Sequence, residues 1–157
     1  LMKKVIFKII VLLLITSGCG FKVVKQSELV SYSISEIEIT GDKRINYNLK
    51  NKLLFLTKKV SSNDVVLKIN TNKIKTVKEK NINNEITKYQ ITINLAVDVQ
   101  NINKKKSDQF TIAKIGTYNV ASQHSQTLNN EKKLIDLLSK SLGDEILEEI
   151  ALRLNDL

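Results

Sequence analysis

The chain has 157 residues, 42% of them hydrophobic, and a formal charge of +9 from 25 Lys and Arg against 16 Asp and Glu. Its single cysteine excludes an intramolecular disulfide, and its single histidine excludes a metal site built on a histidine pair. The length suits one domain with one core.

The N-terminus begins with Lys3, Lys4 and Lys8, followed by an apolar run to Ile15 and then Thr16-Ser17-Gly18-Cys19. A positive start, an apolar stretch of about eleven residues and small residues before a cysteine make the pattern of a lipoprotein signal peptide. A spanning helix needs about twenty apolar residues, so an uncleaved short anchor is the weaker reading. Residues 1–18 are expected to be removed, Cys19 to carry the lipid, residues 19–29 to form a tether, and residues 30–157 to form a single domain. The three lysines leave with the signal, so a charge of +6 belongs to the mature protein. Such an excess attracts phosphate-bearing headgroups, lipopolysaccharide or nucleic acid. Export argues against nucleic acid, and a merely solvated basic surface is the plainer alternative.

Val30 to Ile39 reads as a strand, stopped by Gly41-Asp42. Asp42 is placed to cap a helix from Lys43, in which Ile45, Leu49, Leu53 and Leu56 recur at helical spacing. Val65, Leu67 and Ile69 alternate as a second strand running toward Lys80. Its apolar phase changes before Ile74, which predicts a bulge at Thr71 to Lys73. Asn81 to Glu85 is a turn. Tyr89, Ile91, Ile93, Leu95, Val97 and Val99 alternate with Lys88, Gln90, Thr92, Asn94, Asp98 and Gln100, which predicts a long third strand with one buried and one wet face. Phe110 to Val120 is a fourth strand, interrupted on its apolar side by Lys114. His124 to Asn130 is polar, and helical periodicity returns from Glu131 to Leu154 through Ile135, Leu138, Leu142, Ile146 and Ile150, widened by Leu137, Leu147, Ala151 and Leu154. The expected fold is α+β in two layers: a four-stranded, mainly antiparallel sheet with two helices on one face, in the order β-α-β-β-β-α.

Catalytic signals are weak. His124 has Ser122 and Ser125 nearby, but neighbours in sequence are not a triad and no glycine-rich nucleophile turn accompanies them. Glu145, Glu148 and Glu149 read as a solvated helix face beside Arg153. No enzyme activity, metal or cofactor is expected. The surfaces say more. Lys73, Lys75, Lys78, Lys80 and Lys88 load the hairpin between the second and third strands, and Lys104, Lys105 and Lys106 load the next turn. These lysines suit anionic phosphates or, equally, protection of exposed strand edges. The apolar face of the last helix is wide enough to leave area for a partner.

Cys19-Gly20-Phe21, the helix from Ile45 to Leu56, and the strand Thr87-Lys88-Tyr89-Gln90-Ile91-Thr92-Ile93-Asn94-Leu95 resemble LptE, the lipopolysaccharide-assembly lipoprotein of Gram-negative outer membranes. The resemblance covers essentially the whole mature chain. Two positions depart from the expected lipoprotein pattern or bear on sorting. Thr16 stands where the processing motif usually has Leu, and Gly20, rather than Asp, is compatible with the outer membrane. The resemblance implies a non-enzymatic domain that plugs the LptD β-barrel and assists delivery of lipopolysaccharide to the outer leaflet. It implies an outer-membrane protein, anchored by its lipid, with its domain in the barrel lumen or facing the periplasm. A polar exterior suits a polar lumen. From charge and placement, Lys78 and Lys80 are the candidate lipopolysaccharide contacts. The alternative is a free periplasm-facing module for anionic lipid or a cell-wall synthase, because fold alone does not fix function.

Overall fold

The computed structural model describes residues 32–56 and 64–156. The elements run β1 (Ser33–Gly41), α1 (Lys43–Leu56), β2 (Asp64–Lys80), β3 (Ile86–Asn101), β4 (Lys106–Asn119) and α2 (His124–Asp156). The strands lie side by side in chain order in one sheet. β1 and β2 are parallel, joined through α1, while β2, β3 and β4 form an antiparallel meander. This is the expected α+β arrangement with both helices on one sheet face.

The core is where the alternation places it. Ile91, Ile93, Leu95, Val97 and Val99 of β3 lie between Val65, Leu67 and Ile69 of β2 and Phe110 and Ile112 of β4. Ile45, Leu49 and Leu53 of α1 and Ile135, Leu138, Leu142, Ile146 and Ile150 of α2 close it from the helix side. Apolar burial on this scale, at about 25 cal/mol per Å2, is the main favourable contribution.

Two glycines set how closely the layers approach. Gly41 has a φ of +106°, and a Cβ there would sit 2.0 Å from the Thr71 carbonyl oxygen. That lets the chain turn from β1 into α1, where Asp42 Oδ1 caps the helix by accepting from the Arg44 and Ile45 amides at 3.0 and 3.2 Å. Gly143 lies where α2 passes under α1: a Cβ there would meet Lys52 Cγ at 2.7 Å. The Lys52 stem lies over that gap, and its ammonium pairs with Asp144 at 2.7 Å. Arg44 clamps Asp136 through two bonds of 3.0 and 2.7 Å, and the Asn48 amide donates to the same carboxylate.

The structure corrects four sequence expectations. β2 has no bulge at Thr71 to Lys73, since its pairing with β3 runs without a shift from Val65 to Val77. The apolar phase ends there because the helix side itself turns polar. Thr71 bonds Asn46 and the Thr40 carbonyl, and Lys73 pairs with Asp42 at 2.7 Å. α2 begins at His124, seven residues before Glu131. Its first two turns dock by hydrogen bonds: Thr127 Oγ1 accepts from the Ala121 amide, and Asn130 donates to the Asn119 carbonyl. β4 starts at Lys106, within the stretch expected to be a connection. Leu137 does not join the core face and is 64% exposed, while the Leu154 and Leu56 side chains lie outside the described residues.

Candidate interaction surfaces

The β2–β3 hairpin outruns the rest of the sheet. β4 is paired only as far as Lys88, opposite Asn119, and every residue of β2 from Ile74 to Lys80 is exposed. At its base, Lys75 and the Tyr118 hydroxyl both donate to Glu131 Oε2, at 2.6 and 2.8 Å. Lys75 also lies 4.3 Å from the Tyr89 ring centre, and that ring stacks on Tyr118. Burial pushes the Glu131 carboxyl up, but these two donors outweigh it and hold the group below the usual glutamate value. At the tip, Asn81 Oδ1 accepts from the Asn83 and Glu85 amides, and Asn84 takes a φ of 63°. This is a tightly bonded turn that tolerates left-handed backbone at Asn.

The hairpin lysines divide sharply. Lys73, Lys75 and Lys88 are neutralised by Asp42, Glu131 and Glu79 at 2.6–2.7 Å. Lys80 donates to Asn84 Oδ1 at 2.9 Å, which steadies the turn. Lys78 sits in the register shift between Val77 and Glu79, exposed and without an ion pair among the described residues. The basic stripe read from the sequence is therefore two cations near the tip. Lys78 and Lys80 both lie on the exposed end of β2. Cys19 and the segments 1–18 and 19–29 lie outside the described residues.

The remaining sequence candidates take ordinary places. His124 is exposed at the first residue of α2. Glu145 does not join a solvated acidic face; it pairs with Lys114 at 2.6 Å beneath the sheet. That explains why a lysine interrupts the apolar side of β4: an inward charge on an edge strand blocks edge pairing, and the helix supplies its counterion. Glu149 and Asp108 share Arg153, which also lies over the Phe110 ring. Among the described residues there is no group of three or more His, Cys, Asp or Glu that could hold a metal, and no helix long and apolar enough to cross a membrane.

The second surface is the sheet face opposite the helices. Its polar side chains are Lys68, Asn70 and Asn72 of β2, Thr92, Asn94 and Asp98 of β3, and Gln109 and Thr111 of β4. Sequence reasoning identified the wet half of β3 but not the joint surface, since cross-strand neighbours are set by register. Two exposed isoleucines, Ile74 and Ile115, flank Thr92 on this face from the two neighbouring strands.

This two-layer fold is similar to that of solved structures. Rare lipoprotein B from Shewanella oneidensis matches with a TM-score of 0.60 at 12% identity, covering 77% of this chain and 97% of that one. The fold is shared with bacterial lipoproteins. Lipoprotein B from Nitrosomonas europaea gives 0.59 at 12% identity over 87% and 93% of the two chains. A minor lipoprotein from Acinetobacter baumannii gives 0.56 at 11% over 79% and 94%. No family model and no curated protein sequence matches the chain.

Proposed function

We propose that this chain is the lipid-anchored plug and assembly partner of an LptD-type outer-membrane β-barrel, and that it assists insertion of lipopolysaccharide into the outer leaflet. The observation that carries the reading is the bare, polar sheet face on a fold shared with bacterial lipoproteins. A domain that stands inside a water-filled barrel must present a polar exterior to polar lumen walls, and this face does so with no covering layer among the described residues. The LptE-like mature start at Cys19 and the central strand from Thr87 to Leu95 point the same way. In this reading Cys19 holds the protein at the membrane, the open face meets the barrel, and Lys78 and Lys80 at the hairpin tip meet phosphates of the passing glycolipid. The protein acts by binding and positioning, with no catalytic step.

A detergent pull-down of the tagged, lipidated chain followed by mass spectrometry tests this. One outer-membrane β-barrel protein at near-equal amount is the expected result. Recovery of a cell-wall synthase, or of anionic lipid with no barrel, contradicts it and favours a free periplasm-facing module.

A further inference from the structure

The bare face is not flat. A trough of about 600 Å3 crosses it, bordered by Glu38, Lys68 and Asp98 at one end and by Asn70, Ala96 and Thr111 at the other. A second trough of about 410 Å3 shares Asn70, Ala96 and Thr111 and continues past Asn72 and Asn94 to Ala113. Together they make one groove, and register explains it. Asn70, Ala96 and Thr111 lie abreast across β2, β3 and β4, and Asn72, Asn94 and Ala113 form the next row. One alanine in each row leaves space that its longer neighbours do not fill.

The chemistry of the groove is specific. Asparagine is disfavoured in strand interiors, yet Asn70, Asn72 and Asn94 stand together in the middle of two long strands. None of the three has a side-chain hydrogen bond among the described residues. At the charged end, Asp98 Oδ1 is shut off from solvent and has no hydrogen-bond partner, while Oδ2 receives only a 3.4 Å bond from Gln100 Nε2. That oxygen is sealed from a ligand as it is from water, so the groups a ligand meets are the unpaired carboxamides of Asn70, Asn72 and Asn94. Glu38 and Asp98 against the single Lys68 give the groove a net negative charge, so a phosphate is not its natural occupant. Ile69, Val97 and Phe110 also line the groove, so apolar surface lies beside its polar groups, as the mixed faces of a sugar ring require.

We infer that this groove binds a saccharide. A carboxamide presents a donor and an acceptor in one plane and a carboxylate two acceptors, which matches the vicinal hydroxyls of a sugar ring. The side chains project from fully paired strands, so little ordering is needed on binding. The site is distinct from Lys78 and Lys80 at the hairpin tip, and because it lies on the face that the proposed function gives to the barrel, it is tested on the chain without its barrel.

The test is titration calorimetry on the full lipidated chain in a detergent without a sugar headgroup. Two probes are used: the core oligosaccharide of lipopolysaccharide freed of lipid A, and the N-acetylglucosamine–N-acetylmuramic acid disaccharide of the cell wall. At least one is expected to bind with a Kd below about 1 mM. Ala96→Leu fills the groove at an exposed position and is expected to weaken that binding by about tenfold or more, with the melting temperature held within about 3 °C. Should that variant not fold, Asn94→Ala is read instead and is expected to weaken binding about fivefold or more. The probe that binds identifies the source of the sugar. The inference is overturned by no binding of either probe at about 10 mM, or by a Kd unchanged in the folded groove variant. Binding lost on Lys78→Glu but not on Ala96→Leu overturns it as well, since the ligand is then held at the hairpin tip. A negative result here leaves the barrel pull-down untouched, so the two readings fail separately.

Discussion

On one side of β3, Ile91, Ile93, Leu95, Val97 and Val99 are sealed beneath two helices. On the other, Thr92, Asn94, Ala96 and Asp98 of the same strand stand under no helix or strand of the described residues. Both sides share one backbone and one register, so their difference is purely one of side chains. The helix side carries the core, and on the proposed function the open side is the contact surface. The lesson is that a substitution on β3 should act through folding or through binding according to whether its number is odd or even.

The largest expected effect comes from breaking the helix side. Leu95→Asp buries a carboxylate at a position 1% exposed, and urea denaturation should show a loss of about 4 kcal/mol or more. Asn94→Asp, one residue away on the open side, should change stability by less than about 1 kcal/mol. Equal losses from the two would erase the distinction.

Gly41→Val comes next. The left-handed φ and the approach of a Cβ to the Thr71 carbonyl oxygen both oppose a side chain there, and a loss of about 2–4 kcal/mol is expected. A smaller effect attaches to the hairpin base. Glu131→Gln weakens the bonds from Lys75 and Tyr118 and should cost about 1 kcal/mol at neutral pH, reduced by the partial exposure of Lys75. The sign of its pH dependence follows from the lowered carboxyl. A group whose folded pKa lies below its unfolded value contributes fully above the unfolded value, here 4.5, and loses that contribution as the pH falls through the folded value. Wild-type stability should therefore decline more steeply below that pH than stability of Glu131→Gln, as chemical denaturation across the acid range would reveal. Asp42, whose carboxyl is raised by burial but drawn lower still by Lys73 and the helix amides, acts with the same sign. The smallest stability effect is Lys78→Ala, within about 0.5 kcal/mol, because the side chain is exposed and holds no ion pair among the described residues. On the proposed function it should still lower retention of lipopolysaccharide by the purified complex; unchanged retention would remove Lys78 from the ligand site.

Much of this fold was legible because apolar periodicity and burial coincide. The β3 alternation, the Asp42 cap and the stripe through Ile45, Leu49 and Leu53 all appear where the residue pattern predicts them. The failures share a cause: polar groups that do the packing. Thr71, Lys73 and Lys75 break the apolar phase of β2 yet keep its register, because Asn46, Asp42 and Glu131 meet them from the helix layer. The first two turns of α2 have a polar sequence because they are fastened by Thr127 and Asn130. The tip lysines were legible, but which of the five lysines are neutralised was not, since Asp42 and Glu131 are distant in sequence. The groove was hidden for a similar reason, as Ala96 and Ala113 become a floor only when three strands align. Three asparagines inside strands were the available signal, because that residue type sits poorly there.

The central claim is that the open sheet face is the surface that meets a β-barrel. Site-specific photo-crosslinking in intact cells tests it directly, with the photoreactive residue at Thr92 on the open face in one strain and at Leu137 on the outer side of the helix layer in another. The account predicts that Thr92 yields one predominant adduct, with an outer-membrane β-barrel protein. Adducts from Thr92 to a periplasmic synthase alone, or no protein adduct from that position, would contradict it.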